Sequence, residues 1–438
     1  MQTRPRNRTL DREIFALAVP AFAALVSEPA LLLADSAIIG HLGTTQLAGL
    51  GIAGNLLGIL TGLSIFLAYG TTGTVARRLG AGDLRAALSG GIDGMVLAIL
   101  LGAVLAGVLQ VVLPSVIGWY GAAPAVSAAA LSYLRVAACG LPSVLLILAA
   151  TGVLRGLQDT RTPLIIAITA NLLNILLNVT FVYGLHFGIA GSATGSLLAQ
   201  TASAAILATV VVRGARRNDV PIRFHPRGVL SAARSGVWLV LRTATLQFGI
   251  TVTTVVAAGL GAVGLATHQV TNSLWTFLTF ALDAIAIAAQ AVIGRYLGAG
   301  DVIMVRRLTD RMIGWGLVCG IAFGLLMAGT RPLYDQLFSP DPAVQVLLSQ
   351  VLLVVALIAP VAGVVFVLDG VLIGAGDGRY LALAGLIAVT AYLPLALLVR
   401  GLDAGLIWLW AAYGGYIVAR LVTLVVRARG GGWMRTGG

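Results

Sequence analysis

Twelve apolar segments, each long enough to cross a bilayer, leave this chain few folds to choose from. They fall near residues 14–40, 47–75, 90–117, 127–153, 163–185, 188–213, 235–262, 264–294, 310–335, 344–373, 380–400 and 404–427. A helix needs about 20 apolar residues to span hydrocarbon, and long runs rather than short alternating ones predict helices instead of a membrane barrel. Only 10% of the 438 residues are charged and 59% are hydrophobic, whereas a soluble domain is about 25% charged. The chain therefore reads as an all-α polytopic membrane protein with 12 transmembrane helices. The segments near 47–75 and 264–294 are longer than a span requires, so they should tilt or project beyond the bilayer.

A net charge of +12 could point to nucleic acid, but its distribution points to membrane topology. The chain has no lysine, so its 28 basic residues are all arginine. On the twelve-helix reading all but Arg135, Arg331 and Arg400 fall on one side, which places both termini in the cytoplasm. Without lysine there is no Walker A phosphate loop and no Schiff base. Cys139 and Cys319 lie in apolar segments and read as small core residues. The four histidines are scattered without metal-ligand spacing, and no nucleophile–base arrangement is visible. The expectation is a protein that is not an enzyme, with no metal and no cofactor.

The chain repeats itself at an offset of 218. ArgArgLeuGlyAlaGlyAsp at 77–83 returns as ArgTyrLeuGlyAlaGlyAsp at 295–301, Pro142 returns as Pro360, and Gly152, Gly156, Asp159 and Arg161 return as Gly370, Gly374, Asp377 and Arg379. Six helices per repeat is an even number, so the halves share one orientation and should be related by an axis along the membrane normal. The expected organisation is an N-lobe over 1–213, a cytoplasmic linker over 214–234 and a C-lobe over 235–438. Asp83, Asp159, Asp301 and Asp377 sit at helix ends beside glycines and read as caps, with a cytoplasmic gate latch to nearby arginines as the alternative.

The first helix carries Pro20, Glu28, Pro29 and Asp35 inside an apolar run. A carboxylate at the bilayer centre costs roughly 2.5–3.5 kcal/mol on insertion scales, so such residues mark function by default. Glu28 and Asp35 are two helical turns apart and can share a face, and the prolines invite a bend. Asp35 aligns with Thr253 across the repeat, so its carboxylate belongs to the first half only. Glu28 can serve as a second acid or, as part of a Glu-Pro pair, mark a local bend. Asn171, Asn174 and Asn178 offer amides on one helix, with Asp35 as a plausible partner or interhelical contact as the plainer role. Tyr133 with Thr194 or Ser196 can complete a polar pocket. In the second half Asp283 and Asp369 could hold a cationic substrate or serve in packing or gating, with Gln290 as a further candidate substrate contact. No arginine cluster inside the membrane is expected.

These features together resemble the multidrug and toxic compound extrusion (MATE) transporters, and most of all their DinF branch. The resemblance rests on Pro20 and Asp35 in helix one, RRLGAGD (77–83), RGLQDTRTP (Arg155–Pro163), LATHQ…LDAIAIAAQ (Leu265–Gln290) and VLDGVLIGAGD (Val367–Asp377). It implies a V-shaped pair of lobes with alternating access, acting as a monomer in the cell inner membrane. It further implies multidrug efflux, with protons or sodium exchanged for amphipathic organic cations. By position, Asp35 resembles the coupling carboxylate, Pro20 the bending proline, and Tyr133, Asn174 and Asn178 the polar network around the coupling site. Some members have an aspartate where this chain has Asn178, so a second acid would have to come from Glu28, and proton coupling is expected over sodium. The rival reading is a lipid-linked-precursor flippase of similar architecture, which would need cationic side chains in its groove.

Overall fold

The computed structural model describes residues 7–221, 225–333 and 341–437. Among them every regular element is helical, in the order α1 (Asn7–Gly40), α2 (Thr44–Ser64), α3 (Phe66–Gly80), α4 (Leu84–Gly118), α5 (Pro124–Ala138), α6 (Leu141–Gly156) and α7 (Arg161–Val179). A π-helical turn (Thr180–Gly184) follows, then α8 (Gly188–Arg217), α9 (Pro226–Gly259), α10 (Gly261–Gly298), α11 (Val302–Gly329), α12 (Pro342–Gly374), α13 (Gly378–Gly401) and α14 (Leu406–Arg429). Eleven helices or collinear pairs are long and apolar enough to span a membrane, and α5 with α6, bent by 52°, makes a twelfth. The expected count of twelve is met in that form. At 1.5 Å per residue, the 38 residues of α10 run to roughly 57 Å, well beyond the ~30 Å of hydrocarbon.

The sequence repeat survives in three dimensions. Helices α5 and α12 begin at the equivalent residues Pro124 and Pro342, and α8 and α14 begin at the equivalent residues Gly188 and Leu406. The caps repeat as well. Asp83 accepts from the Ala86 amide at 2.7 Å and Asp301 from the Met304 amide at 2.9 Å, each after a glycine in the left-handed region (Gly82, φ 82°; Gly300, φ 76°) where side chains are disfavoured. Asp159 likewise bonds the Arg161 and Thr162 amides. Asp377 makes no side-chain cap bond and instead accepts from Arg427 Nε at 2.7 Å, in line with the alternative of pairing to a nearby arginine.

Packing repeats in the same register. Gly152 lies against the backbone of Ala68, and its counterpart Gly370 lies against the backbone of Ala286. Gly102 meets Pro142 as Gly320 meets Pro360. Small residues let membrane helices approach to backbone contact. A side chain at Gly370 has no room, so Gly370→Val should lower stability by roughly 1–3 kcal/mol or more, read as an earlier midpoint in a detergent-unfolding titration.

Two compact units form, but not along the expected boundary. One unit is Ala23–Gly236; the other is Val237–Gly437 together with the chain's start up to Phe22. Each unit thus holds the beginning of the first helix of the other half. Residues 226–234, expected as linker, form the opening turns of α9, so the connection between α8 and α9 is short. Arg4, Arg6 and Arg223 of the arginine pattern lie outside the described residues. Helix α1 runs unbroken through Pro20 and Pro29, and the change of unit falls two residues after Pro20.

The exchanged helix starts are held by charge. In the C-terminal unit, Asp11 receives two bonds from the Arg311 guanidinium, both at 2.7 Å, and one from Trp315 Nε1 at 2.8 Å. Glu13 pairs with Arg295, and Phe15 packs edge-on to Trp315. Neither acid stood out in the sequence, although Asp11 and Glu13 at a helix start, with Arg311 and Trp315 one turn apart, are the signal that could have paired them.

Candidate functional site

In the N-terminal unit, Asp35 is 6% exposed and Asn178 is fully buried. Asn178 Nδ2 donates to Asp35 Oδ1 at 2.7 Å and to Asn174 Oδ1 at 2.8 Å, and Asn174 Nδ2 donates to Ser196 Oγ at 2.9 Å. One carboxylate, two amides and a hydroxyl therefore form a continuous buried chain across α1, α7 and α8. The i,i+4 spacing of Asn174 and Asn178 puts both amides on one face, where each Nδ2 finds an acceptor. Of the two hydroxyls weighed from the sequence, Ser196 joins the chain, while Thr194 bonds its own helix at Ala190. Tyr133 is buried in the apolar core that includes Ile39, one turn beyond Asp35.

The surroundings are shaped to this chain. Gly195 faces Asn178 so closely that a Cβ there would overlap the amide oxygen. The π-helical turn begins two residues after Asn178, a feature found mostly at functional sites, and its Tyr183 hydroxyl donates to the Ile38 carbonyl at 2.6 Å. Gly195→Ala should displace Asn178 from Asp35. The expected outcome is a folded protein with transport reduced nearly as far as by loss of the carboxylate itself, measured in the same vesicles. Gly195 was not picked out in the sequence.

Glu28 stands apart from this chain. It is exposed, and the nearest polar contact on its turn is Asn171 Nδ2 donating to the Ser27 carbonyl at 3.0 Å. The structure brings Asp35, Asn174 and Asn178 together and leaves Glu28 outside.

The C-terminal unit repeats the same positions without the charge. Thr253, which aligns with Asp35, shares a 2.6 Å hydrogen bond with Tyr392, which aligns with Asn174. The acidic residue of this unit sits elsewhere. Asp369 is 2% exposed and binds Arg242 and also Arg420, the latter at 2.7 Å. This corrects two expectations. Arg242 and Arg420 are buried inside helices, so a buried arginine cluster exists, and the Asp369 carboxylate is engaged by guanidinium groups instead of being offered to a cation. The reason is register: counted near helix ends, both arginines lie far enough inside α9 and α14 to reach α12. Asp283 is half-buried on α10. Gln290, two turns further on, is 1% exposed, and its Nε2 has no hydrogen-bond partner.

The MatE family model matches residues 20–180 and again 239–398, one copy in each half of the chain. The chain belongs to the MATE family. Its relatives include the DNA damage-inducible protein F of Escherichia coli, 30% identical over 83% of this chain and 81% of that protein. Protein DETOXIFICATION 43 of Arabidopsis thaliana is 27% identical over 96% of this chain and 90% of its own length. The probable multidrug resistance protein NorM of Thermotoga maritima is 24% identical over 97% and 93%. Among solved structures, the Vibrio cholerae MATE transporter VcmN in its D35N form superposes with a TM-score of 0.88 at 21% identity, covering 98% of this chain and 99% of that one. A Pyrococcus furiosus transporter of the MOP superfamily gives 0.87 at 20% identity, covering 96% of each chain. This MATE chain is a multi-pass membrane transporter and not an enzyme.

Proposed function

We propose that this transporter exports amphipathic organic cations in exchange for protons, with Asp35 as the group that carries the proton. The observation behind this reading is the buried Asp35–Asn178–Asn174–Ser196 chain. It contains one titratable carboxyl group among neutral hydrogen-bonding partners. Out of water a carboxyl group is held at lower free energy neutral than charged, so such a site favours taking up a proton. With Glu28 outside the chain, the site offers a cation one carboxylate, already bonded to Asn178, which supports the proton reading over sodium. Protonation of Asp35 from outside is coupled to release of substrate, and the membrane potential adds about 2.3 kcal/mol per charge for each 100 mV. Pro20, beside the point where α1 changes unit, is the proposed bend. Asp283 and Gln290 are the proposed substrate contacts of the C-terminal unit. The protein works as a monomer in the cell inner membrane with both termini in the cytoplasm. The multidrug resistance name of the Thermotoga relative supports the substrate class.

The test is transport in proteoliposomes loaded with a fluorescent cation. An imposed pH gradient should drive cation movement, and a sodium gradient of equal size should not. Movement driven by sodium alone would reassign the coupling ion. Lipid translocation without cation movement would favour the flippase reading.

A further inference from the structure

The N-terminal unit contains a cavity at a place where the C-terminal unit buries apolar side chains. It has a volume of about 90 Å³ and lies where the start of α9 crosses α3 and α4, between Phe66, Arg78, Asp93, Gly228, Ser231 and Ser235. The repeat explains its origin. At the equivalent positions of the C-terminal unit, the start of α1 supplies Leu10, Ile14, Leu17 and Ala18, all buried, and α11 supplies the buried Leu308 and Met312. In the N-terminal unit those six positions hold Gly228, Ala232, Ser235, Gly236, Gly90 and Gly94. The same architecture is filled with large apolar side chains in one half and hollowed by glycine, alanine and serine in the other.

The hollow is also charged. Asp93, which takes the place of Arg311, is 8% exposed and lines the cavity, and its Oδ1 has no hydrogen-bond partner. The nearest basic atom to that oxygen, His225 Nδ1 on a half-exposed side chain, is 3.5 Å away. Buried carboxylate oxygens are rarely left without a donor. Arg78 lines the same cavity, with Nη1 donating to the Ala86 carbonyl at 2.9 Å and its guanidinium lying where a side chain on Gly90 would stand. Gly90 and Asp93 are one helical turn apart on α4, so an acid and a base line one small space.

We propose that this cavity binds a small zwitterion, with a primary ammonium on Asp93 and an anionic oxygen on Arg78. The chemistry is shared by free amino acids and by the ethanolamine phosphate headgroup of a lipid. The site is separate from the Asp35 chain and does not depend on the reading of that chain as a proton carrier. Ser231 and Ser235 are exposed at its rim, which gives the ligand a way in.

The experiment measures binding to the purified full-length protein by calorimetry. The probes are alanine and glycerophosphoethanolamine, with ethylammonium and propionate as single-charge controls. At least one zwitterion should saturate, about tenfold or more tighter than either control, because hydrogen bonds to charged groups are being added at both ends. Saturation by alanine identifies a free amino acid as the source, and saturation by glycerophosphoethanolamine identifies a lipid headgroup. Asp93→Asn should remove most of that preference. Ala232→Ile, which copies Ile14 of the other half, should abolish binding by filling the space, and Ser235→Leu, which copies Leu17, serves as the second filling variant should the first not fold. If neither zwitterion exceeds the controls, or if binding survives filling of the cavity in a folded variant, the assignment is wrong.

Discussion

Asp35→Asn should insert, fold and purify like the native protein while its drug-driven proton exchange falls to the level of empty vesicles. The substitution keeps an oxygen that can accept from Asn178 Nδ2, so the buried bond at 2.7 Å need not be lost, and replacing one buried acceptor by another of the same shape costs little. What disappears is the carboxylate of the chain that runs on to Asn174 and Ser196. A variant that cannot take up the proton also forfeits the share of the membrane potential that the proton would carry. The measurement is pH-gradient-driven efflux of a fluorescent cation, with thermal stability recorded on the same preparation. Exchange at the native rate in a well-folded variant would refute the role given to Asp35. Gly195→Ala provides the complement, since it leaves the carboxylate in place and disturbs only its partner.

The second large effect is on stability. Asp369→Leu leaves the buried guanidiniums of Arg242 and Arg420 without the carboxylate that both bind, and breaking a buried ionic cluster in this way costs roughly 3–5 kcal/mol. Replacing all three groups by apolar residues of similar volume should recover most of that loss, because their desolvation is removed together with their attraction. Detergent-unfolding midpoints of the single and triple variants decide the point. The triple variant also separates clamping from recognition. Near-native cation transport in it assigns the cluster to holding α9, α12 and α14 together. Loss of transport despite recovered stability would return Asp369 to the substrate site.

The repeat was the most legible part of the sequence because it set spacing and packing at once. Gly152 and Gly370, Pro142 and Pro360, and the capping aspartates Asp83 and Asp301 occupy the same structural positions in both halves. The failure of the repeat at Asp35 also pointed to the buried chain, since its counterpart Thr253 bonds Tyr392 without any charge. The exchange of helix starts was hidden. An apolar helix has the same hydropathy whichever unit covers it, and the charges that decide the matter, Asp11 with Arg311 and Glu13 with Arg295, are about 300 residues apart. The Asp369 cluster was missed for a related reason, because arginines near predicted helix ends were assigned to the cytoplasmic surface. Asp93 carries the same kind of signal as Asp35, an acid inside an apolar segment that the repeat does not keep, its counterpart being Arg311.

The exchange also sets an order of events during synthesis. The start of α1 leaves the ribosome well before its partners on α10 and α11, which follow 282 and 300 residues later. At about 5–20 residues per second that is an interval of roughly 15–60 s in which Asp11 and Glu13 lack the arginines they will bind. The first six helices can enter the membrane in that time, but the opening turns of the chain cannot settle until Arg311 has been made. Asp11 and Glu13 are therefore among the last residues to reach their final contacts, and a nascent chain stalled before residue 295 would still carry them undocked.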